Sequence, residues 1–232
     1  MSPVINGKTH HFGVRGLYNG LLLMGDYETG SYWDHITGAC LHGPLKGYQL
    51  EIISPLLHMN VAQSLTQWPE VHVAISSELN LMQRLLASFM VPLYRSKWAL
   101  FPPVVFKKTM GKEDTRRKRM DFGLGVWTKT THRFYSLEIL GKKRGALIDE
   151  LDDRRILVYT DPTSNIPAAI YTNATQCSWH NDRLKLDNGE IFLGGKLYNA
   201  QGVAQAVAYP MQMLTRWYGF SLTFPGCQLY EA

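Results

Sequence analysis

Residues 6–36 read NGKTHHFGVRGLYNGLLLMGDYETGSYWDHI, and this stretch decides the fold class. Asn6-Gly7 is a strong turn pair, and the residues after it, Lys8 to Val14, predict extended chain. The apolar run from Leu21 to Met24 predicts a buried strand. Asp26 to Ser31 predicts a turn, because Asp can cap its own backbone and Gly adopts positive φ. Tyr32 and Trp33 resume the strand, so short strands joined by glycine-bearing turns are expected.

The rest of the chain carries the same signals. Further strands are predicted at Tyr48–Ile53, Val71–Ile75, Phe122–Thr128, Ile156–Thr160, Ala168–Thr172 and Cys227–Tyr230, with a hairpin of Leu184–Leu186 and Glu190–Leu193 around Asp187-Asn188-Gly189. Helices are predicted at Val61–Gln67, at Leu79–Leu93, at Phe134–Leu140 as a short helix or turn, and from Pro210 through Met211, Leu214, Trp217 and Tyr218. The predicted fold class is therefore mainly β with a few short helices (α+β).

Length and composition predict the domain organisation. A chain of 232 residues that is 45% hydrophobic can bury a core without a metal or a disulfide. We predict one domain, residues 1–232, built from two strand-rich lobes that share one core: lobe one at about 1–100 and lobe two at about 121–232. An exposed basic connector at about 101–120 joins them. Ser64 to Pro69 is echoed by Ser221 to Pro225, which suggests that the lobes are related.

Charge and cysteine content restrict the partners and the compartment. The net charge of +5 suits an anionic partner, but no nucleic-acid motif accompanies it, so a small molecule or a protein is the expected partner. The three cysteines form no Cys-x-x-Cys pair, which argues against a disulfide framework. There is no apolar run of about 18 residues, so no membrane span is expected. A soluble protein in the cytoplasm, with reduced thiols, is predicted unless an export signal has been removed.

Unusual Gly and Trp positions run in order through residues 12–50: Phe12 to Asn19, Asp26 to Trp33, Thr37-Gly38, Gly43 to Gly47, and Leu50. This series resembles an uncharacterised bacterial and archaeal family, catalogued as a domain of unknown function (number thirty-one seventy-nine). A weaker similarity extends over residues 114–162. The resemblance implies a strand-rich fold and brings no activity with it.

Two segments depart from the family pattern. Where relatives often carry Cys-Pro-Leu-Cys, this chain reads Tyr159 to Ser164, and where they carry His-Glu upstream it reads Gly145 to Glu150. Those family residues look suited to metal or redox chemistry. Because this chain lacks them, the resemblance transfers no such site.

Residue types that bind metals are concentrated in the first third of the chain. They are His10, His11, His35, Cys40, His42, His58 and His72. Imidazole and thiolate suit zinc or copper, and Cys40 and His42 would project from one face of a strand. The spacing matches no established zinc pattern, so scattered turn and strand histidines are the alternative. The predicted metal ligands are His10, His35, Cys40, His42 and His58.

Other groups suggest further chemistry. Cys40 with His42 or His35 and an acid such as Asp34 has the residue types of a thiolate enzyme, which would need a positive, partly exposed cysteine. The paired acids Asp149-Glu150 and Asp152-Asp153 could serve sugar cleavage but more often form a solvated loop.

No phosphate-binding glycine loop or serine elbow is present. The leading hypothesis is therefore a ligand- or partner-binding module without an assigned reaction. The alternatives are a copper- or zinc-binding protein and a cysteine-dependent enzyme.

Overall fold

The fold is mainly β with a few short helices, as the sequence predicts. A computed structural model of the chain describes residues 1–72, 80–82, 84–86, 88 and 107–231. Most of the predicted strand Val71–Ile75 and much of the predicted helix Leu79–Leu93 lie outside the described residues. No helix among the residues described combines the length and the hydropathy that crossing a bilayer requires.

The first part of the chain forms a hairpin followed by a four-stranded antiparallel meander. The hairpin joins β1 (Val4–Ile5) to β2 (Lys8–Thr9) through Asn6 and Gly7, whose φ angles of 50° and 75° are those of a primed turn. The meander consists, in order, of β3 (Phe12–Tyr18), β4 (Leu21–Asp26), β5 (Tyr32–Asp34) and β6 (Cys40–His42). Its small core contains Ile5, Trp33, Cys40 and Leu50.

Three further sheets follow. One has the strand order β17-β7-β8-β18, with β7 (Phe122–Trp127), β8 (His132–Ser136), β17 (Met211–Arg216) and β18 (Gln228–Leu229). The second has the order β11-β10-β9, with β9 (Ala146–Leu151), β10 (Arg154–Thr160) and β11 (Pro167–Tyr171). The third is a meander of β12 (Cys177–His180), β13 (Arg183–Leu186), β14 (Ile191–Leu193), β15 (Lys196–Tyr198) and β16 (Ala204–Gln205). The predicted Asp187-Asn188-Gly189 hairpin is the β13–β14 connection.

A buried glutamine joins two of these sheets. β11 is the edge of its sheet, and the outward-facing amide and carbonyl of Ala169 are both bonded to the side chain of Gln212 in β17. The distances are 2.7 Å from the amide to Oε1 and 2.8 Å from Nε2 to the carbonyl. Two residues further on, the amide of Tyr171 donates to the carbonyl of Ala208. The edge strand is thus covered by other parts of the chain.

An aromatic cluster connects the first meander to the β17-β7-β8-β18 sheet. Its buried members are Ile36, Trp127, Phe134, Trp217, Phe220, Phe224 and Cys227. Ile36 belongs to the turn between β5 and β6, so a residue of the first predicted lobe packs with residues of the second. Gly125 leaves room for the Phe220 ring, because a Cβ at that position would lie 2.3 Å from two ring carbons.

Short helices among the described residues include α1 (Val61–Gln67), α2 (Leu137–Lys142) and α3 (Trp217–Thr223). The Asn60 side chain and Gln63 cap α1 reciprocally, and this helix has the predicted bounds. The echoed segments both form a helix end, where Thr66 and Thr223 bond back to the carbonyls of Ala62 and Gly219. The relation between the two lobes stays a prediction.

Two predicted elements are wrong. The last helix does not begin at Pro210, because all six residues Met211–Arg216 pair with β7 as a strand, and the helix begins only at Trp217. The strand Tyr48–Ile53 is reduced to a single bridge between Ala39 and Gln49. In the described part of the chain no further strand lies beside Glu51 to Ile53, which are exposed. The predicted helix or turn Phe134–Leu140 is divided between β8 and α2.

Three arginines in the described part of the basic connector, residues 107–120, have partners in the rest of the protein or in the connector itself. Arg116 pairs with Asp114, donates to the carbonyl of Cys227 at 2.8 Å and lies 5.5 Å from the centre of the Trp217 ring. Arg119 pairs with Glu113 at 2.5 Å, and Arg117 pairs with Asp121 and with Glu138. Each of these arginines therefore has at least one carboxylate partner.

Candidate functional site

A buried carboxylate, Asp26, is the centre of a polar network in the first meander. Asp26 ends β4 and is 0% exposed. Its oxygens accept hydrogen bonds from Trp33 Nε1 at 2.8 Å, from the Thr29 amide at 2.6 Å and from Thr29 Oγ1 at 2.8 Å. Burial alone would raise the pKa of Asp26, but the hydrogen bonds from Trp33, Thr29 and His10 outweigh it and hold the pKa below its ordinary value. The carboxylate is therefore ionised and fixed in orientation.

His10 and Glu28 converge on this carboxylate. His10 lies between β2 and β3 and is 8% exposed. Its Nδ1 is 3.4 Å from Asp26 Oδ1 and 3.8 Å from Glu28 Oε2. Glu28, in the turn after β4, also accepts from the amide of His11 at 2.9 Å and contacts His11 Nδ1 at 2.6 Å. The bonds to His11 lower the pKa of Glu28.

These three residues are the one group within the described ranges whose His, Cys, Asp or Glu donor atoms all lie within 4.8 Å of one another. Of the five predicted metal ligands, only His10 belongs to it. The sequence predicts Asp26 and Glu28 to be turn residues. The pattern that could have identified them as metal ligands is two acids separated by one residue, downstream of His10-His11. The other four predicted ligands lie elsewhere.

Cys40 and His42 share the short strand β6, where Cys40 is buried and His42 is exposed. The Cys40 thiol is buried and donates to the backbone carbonyl of His42 at 3.5 Å. The His42 ring is exposed and stacks on Tyr32, with ring centres 6.0 Å apart. His58 is half-buried after β6, and burial lowers its pKa. His35 lies in the turn between β5 and β6.

The surroundings of Cys40 do not favour a thiolate. The residue is 5% exposed, and burial raises the pKa of its thiol. A catalytic cysteine needs a lowered pKa and access to substrate. The thiols of Cys177 and Cys227 also have pKa values raised by burial, to about 11 in each case.

We expect Cys40 in the folded protein to react with iodoacetamide at least about tenfold more slowly than free cysteine, because the thiolate is the reactive form. Mass spectrometry of the peptide that contains Cys40 measures the rate, and the same protein in guanidinium chloride is the control. A Cys40 that reacts faster than free cysteine would favour the cysteine-dependent enzyme instead.

The paired carboxylates of β9 and the following turn have structural partners. Asp149 accepts from Arg133 at 2.5 Å and from the Tyr135 hydroxyl at 2.6 Å. Asp152 accepts from the hydroxyls of Thr128, Thr130 and Thr131, which lower its pKa to about 2. Asp149 and Asp152 both act as hydrogen-bond acceptors for structural partners, so neither resembles the proton donor that sugar cleavage requires.

A cavity of about 300 Å³ lies between the first meander and the β17-β7-β8-β18 sheet. It is lined by Met1, His35, Ile36, Ile52, Ser54, Pro55, Leu56, Trp127, Met211, Gln212 and Met213. Most of these side chains are apolar, and His35 is the only imidazole among them. The His35 Nδ1 is buried and has no hydrogen-bond partner among the described residues. The sequence predicts His35 to be a metal ligand, and no pattern in it predicts the cavity.

Comparison with known proteins identifies the family of this chain. The fold defines a mainly β protein with a few short helices, built from several small antiparallel sheets. The chain belongs to the family described as Protein of unknown function (DUF3179), whose model matches residues 2–217 of the 232. The resemblance seen over residues 12–50 and 114–162 is thereby confirmed. No curated protein and no solved structure matches the chain significantly.

Proposed function

We propose that this protein is a binding module for a small, mainly apolar molecule, held in the cavity between the first meander and the β17-β7-β8-β18 sheet. The observation that carries the proposal is the buried Nδ1 of His35, which has no hydrogen-bond partner among the described residues and lies in a mostly apolar lining. A ligand site commonly combines apolar walls with a few polar groups that fix orientation. Here His35 is the polar group best suited to that role.

The size and the lining define the ligand class. A volume of about 300 Å³ is at the lower end of the range for small-molecule sites. Trp127 offers an aromatic wall, and Met211 and Met213 offer adaptable thioethers. A flat molecule of one or two rings, carrying one hydroxyl or similar hydrogen-bonding group, fits this description.

The cavity can be tested with two defined probes, 2-naphthol and naphthalene, in equilibrium dialysis. We expect saturable binding of 2-naphthol at one site per chain. Leu56→Trp should weaken it at least about tenfold, because the indole would fill the mouth of the cavity. Ile53→Trp is the matched control, since Ile53 is 69% exposed in the same loop and does not line the cavity.

A second variant tests the role of His35. His35→Leu should weaken 2-naphthol binding by about fivefold, the effect of one lost neutral hydrogen bond, and leave naphthalene binding nearly unchanged. Absence of saturable 2-naphthol binding, or equal effects of the two tryptophan variants, would contradict the proposed site. Equal losses for both probes in His35→Leu would contradict the role of the imidazole.

A further inference from the structure

The network of His10, Asp26 and Glu28 has the dimensions of a metal site. Zinc binds imidazole nitrogen and carboxylate oxygen at about 2.0–2.2 Å, so two ligands at a tetrahedral angle lie about 3.4 Å apart. The Nδ1 of His10 is 3.4 Å from Asp26 Oδ1 and 3.8 Å from Glu28 Oε2. Good hydrogen bonds between nitrogen and oxygen are shorter, at about 2.7–3.2 Å. The contact between His10 and Asp26 is thus a long hydrogen bond, and its length equals the separation of two ligands of a common ion.

Both carboxylates are held in place by hydrogen bonds from neighbouring residues, including two from Thr29 to Asp26 Oδ1. Trp33 Nε1 donates to Asp26 Oδ2, while Oδ1 is the oxygen nearest to His10. The amide of His11 donates to Glu28 Oε2, and the His11 ring contacts Glu28 Oε1. Outer partners of this kind orient the ligands of metal sites. The ligand geometry is thus fixed by the fold.

The charges of these side chains also favour a bound cation. Two carboxylates, of which Asp26 is fully buried, face His10 within the group and the exposed His11 beside Glu28. Among the residues that the structure describes, no lysine or arginine forms an ion pair with Asp26 or Glu28. Buried charges in proteins are normally paired or coordinate a metal. A divalent cation would neutralise this group, with Glu28 at its solvent-facing side.

We propose that His10, Asp26 and Glu28 bind one Zn²⁺ ion, with water completing the coordination. The donor set of one nitrogen and two oxygens suits zinc. This site is separate from the ligand cavity. It shares only His10 with the ligand set predicted from the sequence.

Isothermal titration calorimetry of chelator-treated protein with zinc chloride tests the site. We expect one Zn²⁺ per chain and at least about a tenfold loss of affinity in His10→Gln and in Glu28→Gln. His42→Gln and Glu51→Gln are matched controls, because both residues are exposed and lie outside the group. Circular dichroism of each variant establishes that the fold is retained.

Two further measurements distinguish the proposed zinc site from an ion bound at the surface by His11. The exposed His11 could bind a surface ion together with Glu28, and in that case His11→Gln would cost more affinity than His10→Gln. A larger loss in His11→Gln than in His10→Gln would overturn the proposal. The absence of stoichiometric zinc binding would also overturn it, and so would equal losses in Glu28→Gln and Glu51→Gln. Binding of Co²⁺ with the strong visible absorption of a four-coordinate ion, lost in Glu28→Gln, would support it independently of affinity.

Discussion

Replacing Gln212 by methionine is expected to lower the free energy of unfolding by about 3 kcal/mol, since a buried amide or carbonyl without a partner costs about 1–3 kcal/mol. Methionine has a similar length but cannot bond to the amide and carbonyl of Ala169, which is 0% exposed. Both groups would lose their partner at once, at the contact between two sheets. Denaturation by urea, followed by circular dichroism, measures the loss.

The control is the same change at an exposed position. Gln205 lies in the short strand β16, and its side chain bonds only to exposed carbonyls nearby. Gln205→Met should therefore change stability by less than about 0.5 kcal/mol. Equal, small effects of the two substitutions would mean that the Gln212 bridge is not important for stability.

Gly125→Ala is expected to destabilise the protein by about 3 kcal/mol, at the upper end of the usual range for overpacking a core. The added Cβ would meet two carbons of Phe220 at 2.3 Å. The ring cannot easily move away, because it is 0% exposed and is surrounded by Trp127, Phe134 and Phe224. The midpoint of urea unfolding should decrease accordingly.

Gly141→Ala is the matched control, because Gly141 lies in α2 and an added Cβ there has nothing within 4 Å. A helical Gly→Ala change should stabilise by about 0.5–1 kcal/mol. Combining Gly125→Ala with Phe220→Leu should cost less than the sum of the two single changes, because the smaller side chain relieves the contact. Strictly additive losses would show that the clash with Phe220 is not the cause.

Local patterns predicted much of the fold. The Asp187-Asn188-Gly189 turn, flanked by Leu184–Leu186 and Glu190–Leu193, predicts the β13–β14 hairpin that the structure contains. The helix Val61–Gln67 has the predicted bounds, and its cap is formed by Asn60 and Gln63, which are close in sequence. Such elements are determined by residues close in sequence.

Elements that depend on distant partners were not predictable. Met211 and Leu214 are spaced as in a helix, but Met211–Arg216 is a strand because β7, far back in the sequence, pairs with it. Tyr48–Ile53 has the composition of a strand but lies beside no strand of the described structure except through one bridge. The intrinsic helix and strand propensities of these residues could not decide either case, because pairing with another strand outweighs them.

The candidate sites, like the strands and helices, were predictable only where residues close in sequence determine them. His10 was selected by residue type, whereas Asp26 and Glu28 were assigned to a turn that they do in fact form. Asp26 ends a strand and also lies beside His10, which is distant in sequence. Only its place at the turn can be predicted from neighbouring residues. The cavity is lined by segments around residues 35, 52–56, 127 and 211–213, and no periodicity connects them.

The order of strands in the sheet that contains Gly125 has a consequence for synthesis on the ribosome. Its two central strands, Phe122–Trp127 and His132–Ser136, are made early, but the flanking strands Met211–Arg216 and Gln228–Leu229 are made last. Until those residues leave the exit tunnel, both sides of the central hairpin have unpaired backbone groups, which can join another nascent chain. The hairpin therefore stays open to such pairing until the later strands have been made.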